Sequence, residues 1–422
     1  MRVRVLLLAL GLGLAAPAPA QEDDGGGFLE RLIESNLSSA GREVRIEGFA
    51  GALSSRATLD RMTIADEAGV WLTLTDAALD WNRAALLRGR LEVNELVAGT
   101  IAIARPPQPP EGFTPPPAAA PGFALPDLPV AVNVRTLRAG RLELGAPVLG
   151  QAAVLRLDAA VTLDADTGLV RLDLERIDGR EGTIALGAGI DRATGQARID
   201  LTAREGAGGI VAGLTGIPGA PALALTFSGL GPPDDFNASL RLASDGQERL
   251  AGTMRLAGAP DGTPDGALAI TADLGGDIAP LLLPEHAAFF GPDMTLRLDA
   301  LRSADGALTV EAFEADAAAV TLSGSARIAA DGLPERADLV AHLADPAGGA
   351  VLLPLPGTPV RVGAADLRLT LDAGAWTLDA TLDALDAAAA DVAQANVTGR
   401  GSLGRDPQRV TGRIEAALSG LA

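Results

Sequence analysis

AVLRLDAAVTLDADTGLVRLDLE, residues 153–175, is the stretch that decides the fold. Leu155, Leu157, Ala159, Val161 and Leu163 alternate with Arg156, Asp158, Ala160, Thr162 and Asp164. After Asp166-Thr167-Gly168 the order returns, with Val170, Leu172 and Leu174 set against Arg171, Asp173 and Glu175. Two is the period of a β-strand, whose successive side chains point to opposite faces; a helix needs apolar residues three and four apart. The stretch therefore predicts two antiparallel strands joined by a turn, with one apolar and one charged face.

The scheme extends downstream. It recurs at Ile184/Leu186/Ile190, Ile199/Leu201/Ala203, Leu240/Leu242, Met254/Leu256 and Leu268/Ile270/Leu274. It continues at Leu296/Leu298, Leu308/Val310, Val320/Leu322, Leu339/Ala341/Leu343, Leu367/Leu369/Leu371 and Trp376/Leu378/Leu382. Turn signals separate the runs: Ala193-Thr194-Gly195, Ser244-Asp245-Gly246, Asp261-Gly262, Ala304-Asp305-Gly306 and Ala330-Asp331-Gly332. Such residues tolerate the left-handed backbone that tight hairpins require. The reading is an all-β chain, a long antiparallel meander. One interruption, DIAPLLLPEHAAFFG (Asp277 to Gly291), suits a helix or loop laid across the sheet.

A continuous apolar face needs cover. With helices nearly absent, three solutions satisfy the pattern: serial sandwiches, a β-helix, or a sheet curled into a trough that holds a ligand. Periodicity does not choose among them.

Upstream, residues 42–105 form a smaller β module, with Val70, Leu72 and Leu74 alternating with Trp71, Thr73 and Thr75. Leu91 and Val93, then Ile101 and Ile103, continue it, and Asn82 to Arg88 suit one or two helical turns. Residues 106–129 are a Pro-rich linker. The run Arg105 to Pro129 holds ten prolines, which cannot join a sheet interior, so it divides this module from the larger one at 130–422. Residues 21–41 are a glycine tether and an amphipathic helix, Phe28 to Ala40, with Phe28, Leu29, Leu32, Ile33 and Leu37 on one face. Residues 1–20 read as a secretory signal: Arg2 and Arg4, an apolar run from Val5 to Ala16, and the small-x-small site Ala18-Pro19-Ala20. The run is short for a spanning helix, so cleavage after Ala20 is the expectation, with a single-pass anchor as the alternative.

The net charge of −20 repels phosphate backbones and excludes nucleic acid as a natural partner. The chain has no cysteine, hence no disulfide, thiolate metal site or cysteine nucleophile. His286 and His342 are the only histidines. His342 shares the outward phase of Val340, and His286 lies in the Pro-Leu-rich interruption. Asp261-Gly262-Thr263-Pro264-Asp265-Gly266 lacks calcium-loop spacing and reads as a turn pair. No phosphate loop or nucleophile elbow is present. The expectation is a protein that is no enzyme, with no catalytic residue, metal or cofactor.

Four stretches resemble the N-terminal part of the TamB family, the large periplasmic subunit of the translocation and assembly module. They are GFLERLIESNLSSAGREVRIEGFAGALSSRATLDRMTIAD (Gly27 to Asp66), WLTLTDAALDWNRAALLRGRLEVNELVAGTIAIARPP (Trp71 to Pro107), LRAGRLELGAPVLGQAAVLRLDAAVTL (Leu137 to Leu163) and PEHAAFFG (Pro284 to Gly291). The resemblance implies a sheet rolled into a U-shaped apolar trough. It implies phospholipid as cargo between inner and outer membrane, a periplasmic location associated with the inner membrane, and an outer-membrane barrel partner of the TamA type. The chain departs from the family in stopping inside a β pattern at Ala422, without the family's C-terminal domain, and in its cleavable-looking leader.

The apolar phase then names the candidate lipid-lining residues: Leu155, Leu157, Val161, Leu163, Val170, Leu172, Leu174, Ile184, Leu186, Ile199, Leu201, Leu268, Ile270, Leu296, Leu298, Leu367, Leu369 and Leu371. The rivals to a lipid groove are a scaffold offering its sheet edge to nascent outer-membrane strands and a passive β-solenoid.

Overall fold

A computed structural model describes residues 43–421 except 52–55, 87, 109–130, 165, 192, 259–266, 356, 388–389 and 405–409. The signal segment, the tether, the helix expected at Phe28 to Ala40, most of the Pro-rich run and the Asp261-Gly262 turn lie outside these residues. The described chain is all-β and forms two compact units. The first runs to residue 165 and includes Arg176–Asp178; the second takes Asp166–Glu175 and the chain from Gly179.

The first unit is built of β1 (Glu43–Glu47), β2 (Arg56–Asp66), β3 (Gly69–Asn82), β4 (Arg90–Ile103), β5 (Ala131–Leu144) and β6 (Ala153–Leu163). The turns expected after Asn82 are helix α1 (Arg83–Leu86), and α2 (Ala146–Leu149) joins β5 to β6. Neighbours pair antiparallel except β4 and β5, which run parallel from Arg90↔Ala131 to Ile103↔Leu144. This differs from the expected division at residues 106–129. The strands on either side of the Pro-rich run, β4 and β5, pair with each other, and the compact boundary falls at residue 165 instead. A parallel pair needs a crossover of a dozen or more residues, and the stretch of sequence between Ile103 and Ala131 is long enough for one.

The second unit is a meander. It holds β7 (Thr167–Arg176), β8 (Gly182–Asp191), β9 (Gln196–Glu205), α3 (Ile210–Thr215), β10 (Leu223–Gly231), β11 (Asp235–Ser244), β12 (Gln247–Gly258) and β13 (Leu268–Gly276). After the short helix α4 (Ala287–Phe290) come β14 (Met294–Arg302), β15 (Leu308–Ala317), β16 (Val320–Ile328) and β17 (Pro334–Ala344). Two small strands, β18 (Val351–Leu352) and β19 (Val360–Val362), precede β20 (Ala364–Asp372), β21 (Ala375–Ala387), β22 (Ala390–Leu403) and β23 (Val410–Leu421). Every described pairing here is antiparallel, and β17 passes over the small pair to join β20. The turn chemistry is as expected. Asp245 and Gly246 both have positive φ, 49° and 76°, as a two-residue hairpin requires. Asp305 and Asp331 accept the backbone N–H of Ala307 and Leu333.

The meander is periodic above the level of the strand. Strands β10, β14 and β20 begin at Leu223, Met294 and Ala364, 71 and 70 residues apart. Each opens a set of four long strands, and each follows an apolar insertion: the α3 segment, the α4 segment, or the β18–β19 segment. Four antiparallel pairings restore strand direction, so all three insertions fall on one margin of the unit. Short turns occur at both margins: Asp245-Gly246 and Ala318-Ala319 lie beside the insertions, and the turn from Ser303 to Ala307 lies on the opposite side.

The sheet curls toward its apolar side. Gly252 and Gly324 lie on that face, and a Cβ at either would collide with the carbonyl oxygen of Asp273 or Asp338 on the adjacent strand. On the charged face, Gly187 has open space. Glycine is what permits so tight a bend. Shelter follows the same asymmetry among small side chains: Ala238 is buried, while Ser239 and Thr253 opposite are exposed.

Candidate functional site

Cross-strand register joins the apolar residues into rows. In the first unit Ile46, Met62, Leu74, Ile101, Leu142 and Leu155 are successive partners. Leu157, Val161 and Leu163 lie on this same face, opposite Ala139, Val134 and Val132. In the second unit one row runs Leu172, Leu186, Leu201, Phe227, Leu240, Gly252, Leu274, Leu296. The next runs Val170, Ala188, Ile199, Gly229, Ala238, Met254, Ala272, Leu298. Leu174 faces Ile184, Leu268 and Ile270 face Arg302 and Ala300, and Leu369 faces Leu339 and Leu378. The predicted lining residues thus share the apolar face of their own unit.

That face is half-covered. Leu172, Leu186, Leu201, Leu296 and Leu298 are all of intermediate exposure, and Ile184 and Leu369 are 37% and 36% exposed. Among the described residues the buried apolar side chains are mostly alanine and valine, and the larger ones are Ile46, Leu155, Leu223, Phe236, Phe289, Leu343 and Leu371. A closed core of this length would bury more of the larger ones, because protein interiors pack to crystal density. Four predicted residues differ, the first being Ile199, which packs against a buried cluster of Ala197, Phe236 and Ala238. Leu155 and Leu371 are buried at 6% and 8% exposure, and Leu367 packs against a closed patch of Phe289, Ala319, Leu343, Val351, Val362 and Ala365. Phe289 comes from the α4 insertion, and Val351 and Val362 from the β18–β19 insertion. Protein, not open space, meets these three leucines.

Phe227 and Phe313 belong to the face and escaped the pattern. Around Phe227, Gly229-Leu230-Gly231 breaks the alternation and puts Leu230, 56% exposed, on the charged side. Phe313 follows a bulge between Asp299 and Ala300 of its partner strand, which shifts the phase.

The opposite face is laced by ion pairs: Arg138–Asp158 at 2.8 Å, Arg255–Asp235 at 2.8 Å and Arg368–Asp338 at 2.7 Å. His342 joins it, its Nδ1 2.7 Å from Asp366, on the outward side its phase predicts. His286 is half-buried and its Nδ1 has no hydrogen-bond partner. A cleft of about 900 Å³ also lies on the charged face, between Arg198, Asp200, Arg255, Asp273, Arg297 and Asp299. A twisted sheet is a saddle, so each face is concave along one diagonal. Arg198, Arg255 and Arg297 each have a carboxylate within 4.0 Å, which leaves the cleft no free cation for a ligand. In the first unit Arg105 grips Asp66 and the Gly69 carbonyl. The Arg105 hydrogen bond holds the Asp66 carboxyl well below the usual carboxylate range against the opposing effect of burial, and the N–H groups of Gln108 and Ala68 assist.

No helix among the described residues is long and apolar enough to cross a membrane. Fold and face together define a class: an open, curled β-sheet with a long half-covered apolar side. Compared with known proteins, the chain matches no family model, no curated protein and no solved structure.

Proposed function

We propose that this chain is a TamB-like envelope protein whose apolar face is a groove for phospholipid moving between inner and outer membrane. The observation that carries the reading is the run of half-covered apolar rows on a curled sheet, in which most of the leucines lining those rows stay partly exposed. Each lipid CH₂ exposed to water costs roughly 0.8 kcal/mol. A two-chain phospholipid therefore faces a penalty on the order of 20 kcal/mol in crossing water. A continuous apolar face removes most of that cost without chemistry, so the work needs no catalytic residue, metal or cofactor. The ion-paired outer face keeps the body hydrated. The expected setting is the periplasm, in association with the inner membrane, with an outer-membrane barrel of the TamA type as partner in barrel assembly.

A photo-crosslinking residue placed at 172 or at 173, in separate proteins expressed in cells, tests the reading. Lipid adducts at 172 and none at 173 are expected. Equal labelling, or none at 172 in a folded protein, overturns it. A second reading, the scaffold for nascent outer-membrane strands, draws on β23. Its outer edge has no strand partner among the described residues, and Val410, Ile414 and Leu418 are more than half exposed. Protein adducts, not lipid, at position 414 would favour it.

A further inference from the structure

We propose that Arg302 is the phosphate-binding residue of the groove, an inference that rests on the lipid reading above. Strand β14 places Met294, Leu296, Leu298, Ala300 and Arg302 on the apolar face. Arg302 closes that series at the margin opposite the insertions. Its cross-strand partners are Leu268 on one side and Leu308 on the other, and Leu308 in turn faces Ile328. Its row is otherwise apolar, and Arg302 is half-buried in it.

Among the described residues Glu205 and Arg249 also reach the apolar side of this unit, and both are satisfied. Glu205 accepts the backbone N–H groups of Val211 and Ala212 at 2.9 and 2.8 Å. Arg249 pairs with Asp277 at 3.2 Å and donates to the Ser244 hydroxyl at 2.8 Å. Both lie at the insertion margin. Among the described residues Arg302 has no side-chain hydrogen-bond or ion-pair partner. A guanidinium stays charged at any physiological pH, and its planar fork fits a phosphate with two parallel hydrogen bonds. Flanking leucines exclude water on two sides, which strengthens attraction to an anion. In a chain of net charge −20, such a group gives a lipid phosphate a reason to stop at this margin.

The dimensions fit an amphiphile. From Arg302 to Met294 is eight residues of strand, about 27 Å at roughly 3.4 Å each. A phospholipid chain spans half of a hydrocarbon core, about 15 Å. A phosphate at Arg302 therefore leaves room for the chains to lie over Leu298 and Leu296, pointing toward the margin where Phe289 and Phe290 pack. Cation at one end and aromatic cluster at the other form a polarity gradient along the strands.

The test uses the full chain, purified gently and offered an equal mixture of phosphatidylethanolamine and diacylglycerol of the same chain length, with native mass spectrometry as the readout. Wild type is expected to favour the phospholipid about tenfold, Arg302→Gln to lose that preference while still holding diacylglycerol, and Arg302→Lys to fall between. Circular dichroism checks that both variants fold. Equal loading of both lipids in wild type and Arg302→Gln overturns the role of Arg302 and leaves the groove standing. Loading of neither lipid in wild type overturns the groove reading itself. Inorganic phosphate alone is the third arm. Binding that depends on Arg302 and matches the phospholipid's would mean a free-anion site and overturn the lipid source; no measurable binding is expected.

Discussion

Two patches of the second unit carry the same leucine alternation and end differently. Around Val362, insertions from two successive repeats fold over the strands, and Phe289, Leu343, Val351 and Ala365 close into a dry cluster. Leu172, Leu186 and Leu201 belong to neither buried cluster of the described residues, and their side chains stay half-covered. An alternating strand is thus neither core nor groove by itself. What lies over it decides, and here that is set by where the 70-residue period places an apolar insertion.

The contrast breaks most readily in the closed patch. Phe289→Ala should cost about 3–5 kcal/mol in denaturant unfolding, because the ring leaves a cavity among packed neighbours. Leu172→Ala should cost well under half of that, since a half-covered side chain has less burial to lose. Equal costs would mean that both patches are core.

Bending is the next lever. Gly324→Val would drive two methyl groups toward the Asp338 carbonyl, and destabilisation of about 2–3 kcal/mol is expected from the overpacking. Gly187→Val, on the open charged face, should stay within about 1 kcal/mol, because valine suits a strand. Thermal unfolding of the two variants compares them directly.

A smaller effect concerns acid. Asp66 ionises more readily in the folded chain than in the unfolded one, chiefly through Arg105. Its contribution is therefore complete above the unfolded value of about 3.9 and fades as pH falls below it. Wild type should lose stability to the first unit as pH drops below about 4, and Asp66→Asn should flatten that slope. Identical acid profiles for the two proteins would remove Asp66 from the account.

The smallest effect is expected on the outer face. Arg368→Ala breaks the exposed pair with Asp338 and should change stability by less than about 1 kcal/mol, less still in high salt. A large loss would show that the charged ladder holds the curl.

The sequence by itself determined the strands and their faces. Alternation of period two encodes the face of each side chain directly, so Leu172 against Asp173 was readable without a structure, as was the outward His342. The Asp-Gly turns were readable because so few residues accept positive φ. Even the phase of Arg302 follows from Leu296 and Leu298. Only the tertiary structure decided that this arginine has no partner among the described residues, because ion pairing depends on which strands become neighbours and in what register. The parallel union of β4 and β5 was equally hidden, since prolines say where a strand is not and nothing about what the flanking strands do. The bend at Gly252 and the cover over Leu367 were decided the same way: both depend on contacts between residues far apart in the chain, and local periodicity carries no record of them.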